Sequence, residues 1–427
     1  MRHKLFSRAL FKRIILWMSL ILVLFLGLTA SQRLVLEPLE GIRASAESKL
    51  FDYVGWTLNA FFNKMVSSSL KAERFMTNEE QATLVKAYFK QVGVVEGLED
   101  ALEDALNQQS QIINSKAVEN AKENLAQADQ RLKHLANFTE AVLQNQTERV
   151  LLSMDFGNLG QIIPPVLYQV TDLPLNLIVS PRDEIKTSLS LSLKSGMDAV
   201  EKNQFEDLIF TKYNHAALVE EVGGVGAYPT MVMRSNNINW TVETIAHEWI
   251  HNYLTLRPLG ARYFENDAMR TINETTASLA GKEIGQDLIK TYYREHIVIG
   301  TRPMRKLCWV VSEEERDAQG FDYRAEMRET LVTVDDLLAR GHIVQAERYM
   351  EQRRQVFWNE GYRIRKLNQA YFAFYGSYND TPGGGASGED PIGPAVRALR
   401  YSKPYLKPFL DTIQAVRSFA DLMKLVP

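Results

Sequence analysis

The stretch TIAHEWIHNYL, residues 244–254, sets two histidines four residues apart around a glutamate, in a run whose composition suits a helix. With 3.6 residues per turn, His247 and His251 stack on one face, so both imidazoles reach the same point. Glu248 falls on the neighbouring flank, able to touch a water held there without being a ligand. Thr244, Ile245, Ala246, Trp249 and Ile250 are uncharged, as a helix buried beside a metal requires. With seven histidines in the chain, this arrangement arises by chance on the order of once in a hundred chains. The competing reading is a core helix whose two histidines are hydrogen-bonded and bind nothing.

A catalytic metal needs a third protein ligand and an open position. A version with a distant third histidine would require glycine at 254 and histidine at 257, where the chain has Leu254 and Arg257. The version with a carboxylate needs it on a second helix about two dozen residues on. The segment INETTASLAG (272–281) supplies Glu274, and small Ala277, Ser278 and Ala280 let two helices approach closely. Glu265, Asp267 and Glu283 compete: the first two fall on the loop or the helix start, and Glu283 lies more than two turns past Glu274. Cys308 is the only cysteine, which excludes an intrachain disulfide and a multi-thiolate metal site. It stands in KLCWV with no histidine nearby and reads as a packing residue.

His247-Glu248-x-x-His251 followed by Asn273-Glu274-x-x-Ala277 resembles the gluzincin metallopeptidases, the thermolysin-like and aminopeptidase-like clan, over about residues 215–285. The resemblance implies one Zn2+ per chain held by His247, His251 and Glu274, with Glu248 as general base toward a zinc-activated water. It also implies a peptide or protein substrate paired with a sheet-edge strand before the zinc helix, where GGVGAYPTMVM (223–233) stands. The aminopeptidase signature of that strand, Gly-x-Met-Glu-Asn, is absent: the chain reads Gly226-Ala227-Tyr228-Pro229-Thr230. A carboxylate to hold a substrate amino terminus is therefore not evident. The segment RRQVFWNEGYRIRKLNQAYFAFYGSYND (353–380) is similar to the tail of a family of bacterial metallo-aminopeptidases that carry a tyrosine downstream. Tyr378 is accordingly the first candidate to stabilise an oxyanion, beside a Gly-rich loop (375–394) able to fold over a cleft. Tyr375, Tyr293 and His296 are the others.

The rest of the chain reads in four parts. Residues 1–13 carry five Lys or Arg, and 14–30 (IILWMSLILVLFLGLTA) are uncharged and apolar. This predicts one N-terminal transmembrane helix with its basic flank in the cytoplasm and everything after residue 30 outside it. Leu28 sits where a cleavage site prefers a small residue, favouring an anchor over a cleaved signal and a secreted chain. Residues 31–160 are nearly free of breakers, with no proline between Pro38 and Pro164. Leu125, Leu132, Leu135, Val142 and Val150 approximate a seam. These helices form a stalk, a subdomain lying on the catalytic domain, or a surface for self-association through helices 81–150. Residues 161–427 hold the metal motif. Within them LNLIV (175–179) and SLSLSLKS (188–195) alternate as strands, 198–213 reads as a helix, and 321–372 is again helical.

The expected fold is mainly α with a small mixed β-sheet (α+β): a gluzincin-like catalytic domain preceded by long helices and one N-terminal transmembrane helix. A net charge of −3 without a clustered basic patch gives no sign of nucleic-acid binding. The expected function is a membrane-anchored zinc peptidase acting outside the cytoplasm. The alternative is an exported helical scaffold or interaction protein with a structural or vestigial zinc site. Glu248 favours the former, since a structural site needs no general base.

Overall fold

The computed structural model describes residues 37–70, 75–108, 115–222, 224–294, 321–375 and 392–427. The basic tail, the apolar segment 14–30, His296, Cys308 and Tyr378 lie outside the described residues. Among the described residues no helix is long and apolar enough to cross a membrane. The chain divides after Lys49 into two units. Helix α1 (Glu37–Ala46), with Pro38 at its start, belongs to the first.

In the second unit, α2 (Tyr53–Leu70), α3 (Asn78–Gln108) and α4 (Ser115–Ser153) precede the sheets. Thr77 and Glu80 make a capping box at the start of α3: Glu80 N–H donates to Thr77 Oγ1 (3.2 Å) and Thr77 N–H to Glu80 Oε2 (2.7 Å). Neither glycine nor proline interrupts residues 98–156, and α4 runs unbroken. Gln91 Nε2 donates to Ala128 O and Gln146 Nε2 to Gln81 Oε1, so α3 and α4 run antiparallel. Leu132, Val142 and Val150 of the expected seam are buried within this chain, in a core shared with Val85, Val92, Trp249, Tyr253, Leu288 and Phe409. Phe156, just before residue 160, meets Trp249 and Tyr253 of the metal-motif helix edge-on at 5.9 and 5.8 Å.

Two three-stranded sheets stand where one small mixed sheet was expected. In the first, β2 (Leu175–Pro181) lies between β3 (Leu189–Leu193) and β4 (His215–Glu220), all antiparallel. Helix α5 (Ala199–Tyr213) between β3 and β4 opens on an Asp198–Glu201 capping box. The second sheet has the order β1 (Tyr168–Val170), β6 (Thr230–Val232), β5 (Gly224–Val225); β1 is parallel to β6 and β5 antiparallel. It is mixed, and β5 lies at one of its edges.

Helices α6 (Ile238–Leu254) and α8 (Asp267–Tyr292) carry the metal motif, separated by the one-turn α7 (Pro258–Ala261). Asn237 and Asn266 cap α6 and α8 by accepting from Trp240 N–H and Met269 N–H. The predicted helical stretch 321–372 is divided into α9 (Tyr323–Ala339), α10 (Ile343–Asn359) and α11 (Gln369–Tyr375). The first break needs Gly341, whose φ of 76° is left-handed. These three helices build a second core with Ile178, Ala216 and Leu218. The chain closes with α12 (Ile392–Tyr401), α13 (Leu406–Ile413) and α14 (Phe419–Leu425) in the first core.

The approach of α6 to α8 depends on Gly281. A Cβ there would lie 2.9 Å from Glu243 O and His247 N and 3.0 Å from His247 Cα, all backbone atoms that cannot turn aside. Gly281→Ala should therefore destabilise the fold by about 1–3 kcal/mol. Gly93→Ala, on α3 with nothing within 4 Å of the added Cβ, should instead stabilise it by roughly 0.5–1 kcal/mol. Denaturant unfolding of the two variants checks both signs.

Candidate metal centre

Three residues of α6 and α8 meet at one point. His247 and His251, one turn apart, bring their Nε2 atoms to 3.0 Å. Glu274 Oε2 comes from α8 to 3.4 Å from His247 Nε2 and 3.6 Å from His251 Nε2. Four-coordinate bonds of about 2.0–2.1 Å would put ligand atoms about 3.3 Å apart, so this triangle already has the size of a metal's ligand set. Glu274 is buried, yet its Oε2 makes no hydrogen bond. A buried carboxylate oxygen without a donor is costly, and a cation at the centre of the three atoms would satisfy it. The His247, His251 and Glu274 group can thus hold a metal ion.

Each ligand is braced from behind. His251 Nδ1 donates to Asn273 Oδ1 (2.8 Å), which presents Nε2 inward. Ser278 Oγ lies 3.4 Å from His247 Nδ1. The Tyr263 hydroxyl donates to Glu274 Oε1, and its ring stands edge-on to His251 at 5.9 Å.

Glu248 faces β5. A Cβ on Gly224 would collide with Glu248 Oε1, and one on Gly226 would lie 3.5 Å from Oε2 and 3.3 Å from His251 Cβ. Glycines therefore let the sheet edge close over this carboxylate and leave it buried. Asn252 Nδ2 ties the same segment to α6 by donating to Ala227 O and Thr230 Oγ1.

The charges respond to this crowding. Burial alone would lower the pKa of His251, but the Glu274 carboxylate outweighs it and the value rises from 6.5 to about 9. Burial would raise Glu274, but the charge of His251 and the two imidazoles facing its Oε2 at 3.4 and 3.6 Å hold it well below the usual carboxylate range. In Glu248 burial wins and the carboxyl is raised, opposed by the two histidines and assisted by Glu274.

The structure brings together four of the five expected site residues: His247, Glu248, His251 and Glu274. Tyr378 lies outside the described residues, as does His296. The other oxyanion candidates are committed elsewhere. Tyr293 is buried with its hydroxyl donating to Gln146 Oε1, and Tyr375 packs in the second core 4.5 Å from the Tyr371 ring. Of the competing carboxylates, Glu283 is paired with Arg400, Glu265 with Arg262, and Asp267 opens α8. Tyr263 carried no sequence signal, Ser278 was visible only as a small residue at the helix contact, and Asn273 only as the neighbour of Glu274. Comparison with protein families, curated proteins and solved structures gives no match for this chain.

A proton on His251 competes with a metal. Because the folded pKa exceeds the unfolded one, the His251 charge stabilises the metal-free fold fully below pH 6.5, and that contribution is lost as pH rises through about 9. A metal requires the neutral ring. Metal uptake near neutral pH should therefore release about one proton per chain from this histidine, and the release should fade above pH 9. Calorimetric titration in two buffers of different ionisation enthalpy measures it; a release that does not vary with pH would contradict the assignment.

Proposed function

We propose that this chain is a zinc-dependent peptidase. The observation that carries the reading is the buried, unbonded Glu274 Oε2 facing two imidazole Nε2 atoms, with a second buried carboxylate, Glu248, beside them. Two histidines and one glutamate are the ligand set of catalytic rather than closed structural zinc sites. Zinc, when bound, supplies Lewis acidity and lowers the pKa of water to near neutrality.

The chain's own residues divide the remaining work. His247, His251 and Glu274 hold the ion. Glu248, its basicity increased by burial, takes a proton from the attacking water and passes it to the leaving amine. Strand β5, at the edge of its sheet and over Glu248, offers backbone groups to an extended peptide. In this proposal the fold is gluzincin-like. The apolar segment 14–30 holds the chain in the membrane, with the folded part outside the cytoplasm.

Glu248→Gln should retain one zinc per chain and lower hydrolysis of an unfolded protein substrate by about 10²–10⁴-fold. His251→Ala should lose the metal. Elemental analysis of the purified variants and mass spectrometry of a digested peptide library provide the two readouts. Full activity in Glu248→Gln would remove the mechanism. Stoichiometric zinc in a wild-type chain that cleaves nothing would leave the scaffold with a structural metal.

A further inference from the structure

We infer that Tyr263 is the positioning residue that makes Glu274 a one-oxygen ligand and so keeps a coordination position open. The inference rests on the metal reading of the site, not on its peptidase activity. A carboxylate can meet a cation through one oxygen or both. In Glu274 the two oxygens have different surroundings: Oε1 accepts from the Tyr263 hydroxyl, while Oε2 faces both imidazoles and makes no hydrogen bond. A hydroxyl donating to a carboxylate is among the stronger hydrogen bonds a side chain makes. As long as it is made, turning Oε1 toward the ion means breaking it.

Tyr263 is itself firmly placed. It follows α7, which opens on Pro258 and buries Leu259 completely. Leu259 N–H donates to Gln414 O (3.1 Å) at the end of α13, and Arg257 lies 3.7 Å over the Tyr253 ring while bonding the Gln414 side chain. Tyr263 N–H donates to Gly260 O (3.1 Å), and its ring packs on Phe264 at 4.8 Å as well as on His251. The C-terminal helices thereby fix the short helix that delivers the phenol, and one residue steadies two ligands at once.

Tyr263→Phe in the full-length chain keeps the ring and its contact with His251 and deletes only the hydroxyl. Zinc affinity, read by competition with a chromophoric chelator, should fall by about 10–100-fold. With Co2+ in place of zinc, the visible absorption should weaken and shift as expected for a higher coordination number, because both Glu274 oxygens become available. In a Glu274→Ala background the same change should alter affinity by less than about twofold, since the oxygen it acts through is gone. The melting temperature of the chelator-stripped variant tells local loss from misfolding. The inference is overturned by unchanged affinity and an unchanged cobalt spectrum, by an equal loss in both backgrounds, or by a wild-type chain that takes up no metal. A wild-type chain that binds metal but cleaves no peptide ends the peptidase proposal and leaves this one standing.

Discussion

The site depends on two helices lying closer than ordinary side chains allow. Gly281 stands against the backbone of His247, and Gly285 and Ala277 continue the same thin face of α8. Only at this spacing does a glutamate, with three side-chain carbons, bring one oxygen within 3.6 Å of both imidazoles. Thicker residues at the contact would move Glu274 outward by more than the tolerance of a metal–ligand bond. The small residues thus shape the His247, His251 and Glu274 cluster although none of them belongs to it.

Crowding a carboxylate and two imidazoles together away from water is costly without a compensating charge. The metal-free chain meets the demand by holding a proton on His251, raised to about 9 by Glu274. The arrangement remains incomplete, because Glu274 Oε2 still lacks a hydrogen bond. Asn273 and Tyr263 constrain the ligands from outside, so the set cannot relax by turning its rings or its carboxylate away. Pre-formed and under-satisfied is the state expected of a site built for a cation rather than of a core histidine pair.

The convergence of His247, His251 and Glu274 was legible in the sequence because a helix converts spacing into direction. His247 and His251 had to share a face, and Glu274 of INETTASLAG stood at the spacing a carboxylate on the next helix requires, beside small residues, ahead of Glu265, Asp267 and Glu283. The seam at Leu132, Val142 and Val150 was legible for the same reason, and β2 and β3 were legible as strands, although β2 is buried on both faces rather than alternating. What could not be read was tertiary. Tyr263 lies in the irregular link between helices, where no period fixes direction, and its place depends on Gln414, 151 residues later. The division of the strands into two sheets was hidden likewise, because β1 pairs with β6 across 62 residues. Tyr293 and Tyr375 show the limit of reading by residue type: an aromatic with a hydroxyl suits a core as well as a cleft, and the structure uses both in cores.

Glu248 links the metal chemistry to the sheet. Its two oxygens lie under Gly224 and Gly226, so the strand that would align an extended peptide is the same one that shields the proposed base from water. A side chain at 224 would meet the Glu248 carboxyl itself, so either Glu248 turns aside or β5 moves off α6, and in both cases the contact that buries the carboxylate and raises its pKa is lost. Base strength and peptide placement are therefore coupled through one contact. In the proposed peptidase a peptide added alongside β5 would bury Glu248 further, increasing its basicity when a bond to be cleaved is at hand.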